Sequence, residues 1–204
     1  MNTINILQRH SYITGLLVVL FLVSNSANGW SFDELRQDKS NVLLGFFAGI
    51  AVHELGHISA ATLKKTDFRL DGLSITYPDP ALTAEDRLEL ASAGFQFQWA
   101  AAELAFRYLN DEETETRTRH RAAGIVLSHL AITAAYMTVL KHHTHGDIEG
   151  MSRATGISND RLALAVAVPA ILDGWRLFGK TVPKWVPTAS VVSKGIGITW
   201  VWTY

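Results

Sequence analysis

One stretch constrains this chain more than any other: Asn41 to Leu63, reading NVLLGFFAGIAVHELGHISAATL. From Val42 to Thr62 the only ionisable side chains are His53, Glu54 and His57. Three titratable groups in an otherwise apolar run are costly unless they are paired, metal-bound or functional. A run of this length reads as a helix, and in a helix residues four apart share one face. His53 and His57 can then hold one metal ion together. Glu54, beside the first ligand, reaches a water on that metal as general base. The same face carries Gly45, Gly49 and Ala61, so the ligand face is also built for close approach of another helix.

The choice of metal follows from what the chain lacks. It has no cysteine, so a disulfide framework and a thiolate site are excluded. A metal must be held by His, Asp and Glu, which suits Zn²⁺ in a catalytic site. A net charge of -1 excludes the basic footprint of a nucleic-acid partner.

The remaining chain reads as further apolar stretches with polar connectors. Residues 1–29 have the layout of a secretory signal peptide or an N-terminal membrane anchor. Residues 30–204 then form a single helical domain. Residues 66–80 suggest a small β-hairpin around Asp71-Gly72. Leu88–Leu109 and Ala122–Leu140 predict two long helices, the second interrupted by Ser128 and His129. Lys141–Arg161 is polar, and His142, His143, His145 and Asp147 make it a second, weaker metal-binding possibility. Arg161–Phe178 predicts another helix, apolar until Asp173 and interrupted by Pro169. A lone carboxylate in such a helix needs a cation, which makes Asp173 a candidate third ligand; a pair with Arg176 would satisfy it equally well. Trp185–Tyr204 reads either as a last short span or as two strands around Gly195 and Gly197. The fold expected is mainly α: a polytopic helical membrane protein of about five or six spans with one hairpin.

Three segments resemble the site-2 protease family of intramembrane zinc metalloproteases. They are His53-Glu54-Leu55-Gly56-His57, then Ala93-Gly94-Phe95-Gln96-Phe97-Gln98, which is similar to the family's Gly-Pro-x-x-Asn helix, and Leu172-Asp173-Gly174. Phe95 stands where the family has Pro, and Gln98 where it has Asn. The resemblance implies Zn²⁺ at His53, His57 and Asp173, Glu54 as catalytic base, and Gln98 as polar support. It implies an integral membrane protein, in a bacterial-type inner membrane, that meets membrane lipid and cleaves a peptide or membrane-protein substrate. The chain would be a minimal or divergent member.

Two rivals remain. One is an exported soluble zincin with Glu103 as third ligand, favoured by a mean hydropathy of only +0.13. The other is a non-catalytic membrane scaffold of the same fold.

Overall fold

The computed structural model describes residues 29–71 and 74–204. The segment read as a signal or anchor, residues 1–28 of it, and the tip of the hairpin at 72–73 lie outside the described residues. Among those described, the fold is mainly helical: α1 (Phe32–Gln37), α2 (Lys39–Lys64), α3 (Ala84–Asn110), α4 (Thr116–Ala135) continuing into a π-helical turn (Tyr136–Leu140), α5 (Asp147–Thr155), α6 (Asn159–Phe178) and α7 (Trp185–Thr203). Between α2 and α3 lies the expected antiparallel hairpin, β1 (Arg69–Asp71) and β2 (Ser74–Thr76), with Leu70 opposite Ile75.

Local chemistry sets where the elements begin and end. The Asp38 side chain accepts the Asn41 N–H at the start of α2. The helix stops at Lys65, whose backbone turns left-handed at φ 55°. Thr83 opens α3 with a reciprocal capping box to Asp86. The structure decides one reading left open and departs from another. The C-terminal stretch is one helix, not strands around Gly195 and Gly197. The polar segment after α4 contains a helix, α5, whose apolar positions Ile148 and Met151 are buried and which ends at Gly156 with φ +72°.

The pairing of residues fixes how the helices run. Lys64 bridges Asp86 and Glu89 near one end of α2, and Gly56 packs against Ala93, so α2 and α3 are antiparallel. Gly45 meets Arg121 and Gly49 meets Ser128, so α2 and α4 run parallel. Asn159 and Asp160 meet Lys141, while Asp173 meets His129, so α6 returns antiparallel to α4. Helix α3 is central: it packs on α2, α4, α5 and α7. From Leu88 to Phe95 each of its residues is buried.

Several charged side chains are buried in this bundle while several large apolar ones are exposed. Glu103, Asp173, Arg176, Lys194 and His129 are completely buried. Phe47, Ile171 and Ile196 are each more than 60% exposed, and Leu43, Leu44, Leu55, Leu164 and Val168 are exposed with them. Among the described residues two helices, Lys39–Lys64 and Thr116–Leu140, are long and apolar enough to cross a membrane.

The close crossing of α2 and α4 gives a test of this packing. A Cβ on Gly45 would overlap the Arg121 carbonyl, whereas a Cβ on Gly195 would meet nothing within 4 Å. Gly45→Ala is therefore expected to destabilise by about 1–3 kcal/mol through overpacking. Gly195→Ala is expected to stabilise α7 by up to ~1 kcal/mol through helix propensity. Thermal unfolding in detergent checks both signs.

Candidate metal centre

The two imidazoles project from one face of α2, four residues apart, as the sequence predicts. Both are buried. Their Nε2 atoms face each other 3.4 Å apart. Two ligand nitrogens about 2.05 Å from a tetrahedral zinc lie about 3.4 Å apart, so the pair is set at the spacing that ion requires. The third group is Asp147, the first residue of α5. Its Oδ2 lies 2.9 Å from His53 Nε2 and its Oδ1 3.3 Å from His57 Nε2. Among the described residues, His53, His57 and Asp147 form the one group of three His, Asp or Glu side chains close enough to share an ion.

The surroundings fit that donor set. His57 Nδ1 donates to the Leu90 carbonyl of α3 at 2.8 Å, which leaves its Nε2 lone pair for a ligand. Space for an ion is cleared by Gly94: a Cβ there would lie 2.5 Å from both Nε2 atoms. Asp147 sits in the first turn of α5, where helix dipole and backbone N–H groups favour a carboxylate. The Tyr136 hydroxyl accepts the Asp147 N–H at 3.4 Å, tying the π-helical turn to the site. Burial pushes the Asp147 carboxyl up, but the charge of His57 and hydrogen bonds from both imidazoles outweigh it and hold the group well below the ordinary carboxylate range. A metal ion between the three ligands would occupy the same cationic position.

Glu54 follows the first ligand and is partly exposed. Its charge reaches Tyr77, next to the hairpin, and Tyr136 of the π-helical turn alike. Toward the hairpin lies a cleft of about 270 Å³ lined by Thr76 of β2 and the following Tyr77, Arg87 and Ala91 of α3, and Gly146, Asp147 and Arg153 around α5.

Asp173 and Glu103, the two third ligands weighed from the sequence, are not brought to the imidazoles. Both belong to a separate buried quartet. Arg176 binds Glu103 through both Nη atoms, at 2.6 and 3.1 Å, and reaches Asp173 at 3.0 Å. Lys194 bridges Glu103 and Asp173. Ser190 donates to Asp173 at 2.6 Å. The physical reason is topological. Helix α6 runs back from the Lys141 end, so Asp173 lies near its far end, level with His129. The pair Asp173–Arg176 is the alternative partner that i,i+3 spacing offers. Gln98 is fully buried on α3 without a hydrogen-bonding partner for its amide, and does not line the cleft. The loop histidines do not gather either: His142 meets Asn159, and His145 lies 3.9 Å from Asp71.

Asp147 was visible in the sequence only as part of that polar loop. The signal that would have separated it is Gly146-Asp147 ahead of Ile148 and Met151, an N-terminal carboxylate on a short amphipathic helix. Comparison with family models, with curated proteins and with solved structures finds no match to this chain.

Two substitutions separate the two clusters. Gly94→Ala is expected to abolish metal binding while leaving α3 intact, because Ala is the better helix former and its methyl fills the ion's position. Asp173→Asn is expected to keep the metal and to lower stability by about 3–5 kcal/mol, because it strands buried cations. Metal per chain and thermal unfolding of the two purified variants check these outcomes.

Proposed function

We propose that this chain is a zinc-dependent endopeptidase that cleaves a peptide bond within or beside a membrane segment. The observation that carries the reading is the convergence of His53, His57 and Asp147 on one point under Gly94, with Glu54 adjacent and a cleft leading to it. In this assignment Asp147 takes the ligand place for which the sequence pattern nominated Asp173.

A zinc ion held there supplies Lewis acidity, polarising the scissile carbonyl and acidifying a water. The chain's own residues do the rest. His53, His57 and Asp147 would hold the ion with three protein ligands, the number that catalytic zinc sites use. The Leu90 carbonyl fixes the tautomer of His57. Glu54 takes the proton of the attacking water and gives it to the leaving amine. The cleft beside β2 receives an extended stretch of substrate, since helical backbone is already occupied by its own hydrogen bonds.

The buried charges and the exposed large apolar side chains support the membrane setting. Fully buried charges with large apolar side chains outside are what a hydrocarbon solvent selects. Helices α2 and α4 are the first spans. Helices α3, α6 and α7, of 27, 20 and 19 residues, have lengths of about 28–40 Å at 1.5 Å per residue, enough to cross a core about 30 Å thick. On this reading all five long helices would be spans. His57 lies seven residues from Lys64, so the site would sit roughly 10 Å below one face, within reach of water.

A second reading keeps the same centre in an exported soluble zincin. Its support is that only two of the described helices meet the test for a span. It requires the protein to stay in solution without detergent.

The test is Glu54→Gln beside wild type in detergent-extracted membranes. The reading predicts one zinc per chain in both and hydrolysis of an apolar-segment peptide in the wild type only, with loss of at least about 10²-fold. Zinc-loaded protein in the soluble fraction supports the zincin. Full peptidase activity in Glu54→Gln overturns the mechanism.

A further inference from the structure

A peptidase of this kind needs a hydrogen-bond donor aimed at the oxygen on which charge develops during attack. Gln98, the residue the sequence offers for polar support, does not reach the cleft. The structure holds another donor, on a residue that lines the cleft.

Tyr77 follows β2 and folds back onto the helices. Its ring packs against Ala60 and Ala61 of α2 and Leu90 and Ala93 of α3, the residues around the His57 tautomer lock and just before Gly94. Its hydroxyl is buried and has no hydrogen-bond partner. A buried, unpaired hydroxyl costs free energy, and such groups call for an explanation. Tyr77 also lines the cleft that ends at Asp147, and it lies within the electrostatic reach of both Asp147 and Glu54. A buried donor thus stands unused on a residue that shares the cleft wall with Asp147.

We propose that Tyr77 is a catalytic residue whose O–H donates to the substrate oxyanion. The inference rests on the peptidase reading. As the water oxygen forms its bond to the carbonyl carbon, the carbonyl π pair moves onto oxygen, and Tyr77 donates to that oxygen. When the carbonyl reforms, the C–N bond breaks, and the amine departs with the proton that Glu54 took from the water. A phenol is a donor at neutral pH and does not itself ionise in this scheme. The hairpin therefore has a chemical role: it carries the oxyanion donor, so an extended substrate seated along β2 would have its carbonyl presented to Tyr77 and the metal together.

The unpaired state of the hydroxyl makes the test sharp. Tyr77→Phe keeps the ring packing and removes only the oxygen. A hydroxyl with a structural partner would destabilise the fold on removal; this one should leave the melting temperature unchanged or raised. The experiment compares wild type, Tyr77→Phe and Glu54→Gln, each in detergent with zinc, on a quenched-fluorescence peptide carrying an apolar segment. The expected result for Tyr77→Phe is a fall in kcat of about 10²–10³-fold, KM within about twofold, one zinc per chain, and an unlowered melting temperature. Affinity for a phosphinic-peptide analogue of the tetrahedral adduct should fall with kcat/KM, while affinity for a simple hydroxamate should not. A Tyr77→Phe enzyme with wild-type kcat overturns the proposal. So does one whose lost activity is accounted for by lost zinc or a lowered melting temperature. Absence of Glu54-dependent cleavage in the zinc-loaded wild type would overturn the peptidase reading itself, and with it this role; Glu54-dependent cleavage with an indifferent Tyr77 would overturn the role alone.

Discussion

Asp147, at the cleft, lies against two buried imidazole nitrogens that are 3.4 Å apart, an arrangement that could hold a metal ion. Much of the surrounding architecture serves it. Gly94 removes the side chain that would stand in the ion's place, and Gly56 lets α2 settle on the Ala93 backbone at the same crossing. The Leu90 carbonyl holds one ring in the ligating tautomer, and the first turn of α5 presents the carboxylate.

The route of the chain explains which carboxylate arrives. Because α2 and α4 run parallel, the C-terminal end of α4 emerges beside the His57 half of α2. The π-helical turn and the short loop after it then have little distance to cover before Asp147. Helix α6 leaves from this same end and buries Asp173 on its way out, where Arg176 and Lys194 are waiting. The quartet of Glu103, Asp173, Arg176 and Lys194 has equal numbers of opposite charges, and each carboxylate meets both cations. It ties α3, α6 and α7 together below the metal centre, and the Arg176 guanidinium also lies over the Phe106 ring at 3.7 Å. Glu103 and Asp173 are satisfied by protein cations, whereas Asp147 faces two imidazoles with which it could share an ion.

The helical architecture was legible because its signals are local. The apolar runs Asn41–Leu63, Leu88–Leu109 and Arg161–Phe178 marked three helices close to their observed limits, and Asp71-Gly72 marked the hairpin. His53, Glu54 and His57 were legible because helical periodicity alone puts them together. The third ligand was not, since Asp147 and Asp173 are both single carboxylates and only the tertiary path decides between them. Helix α5 was hidden by its polar composition: with nine residues and two buried apolar positions, it is held by packing against α3 rather than by its own pattern. The C-terminal helix was ambiguous because Val, Ile, Thr and Trp favour strands by propensity, which burial of Val191, Ile198 and Val201 overrides.

The most direct test of the account is crystallographic: anomalous scattering at the zinc edge from the purified, zinc-loaded protein. The account predicts a single strong peak about 2.0–2.2 Å from His53 Nε2, His57 Nε2 and an Asp147 carboxylate oxygen. A peak at Asp173 or Glu103, or none at the two imidazoles, would contradict it.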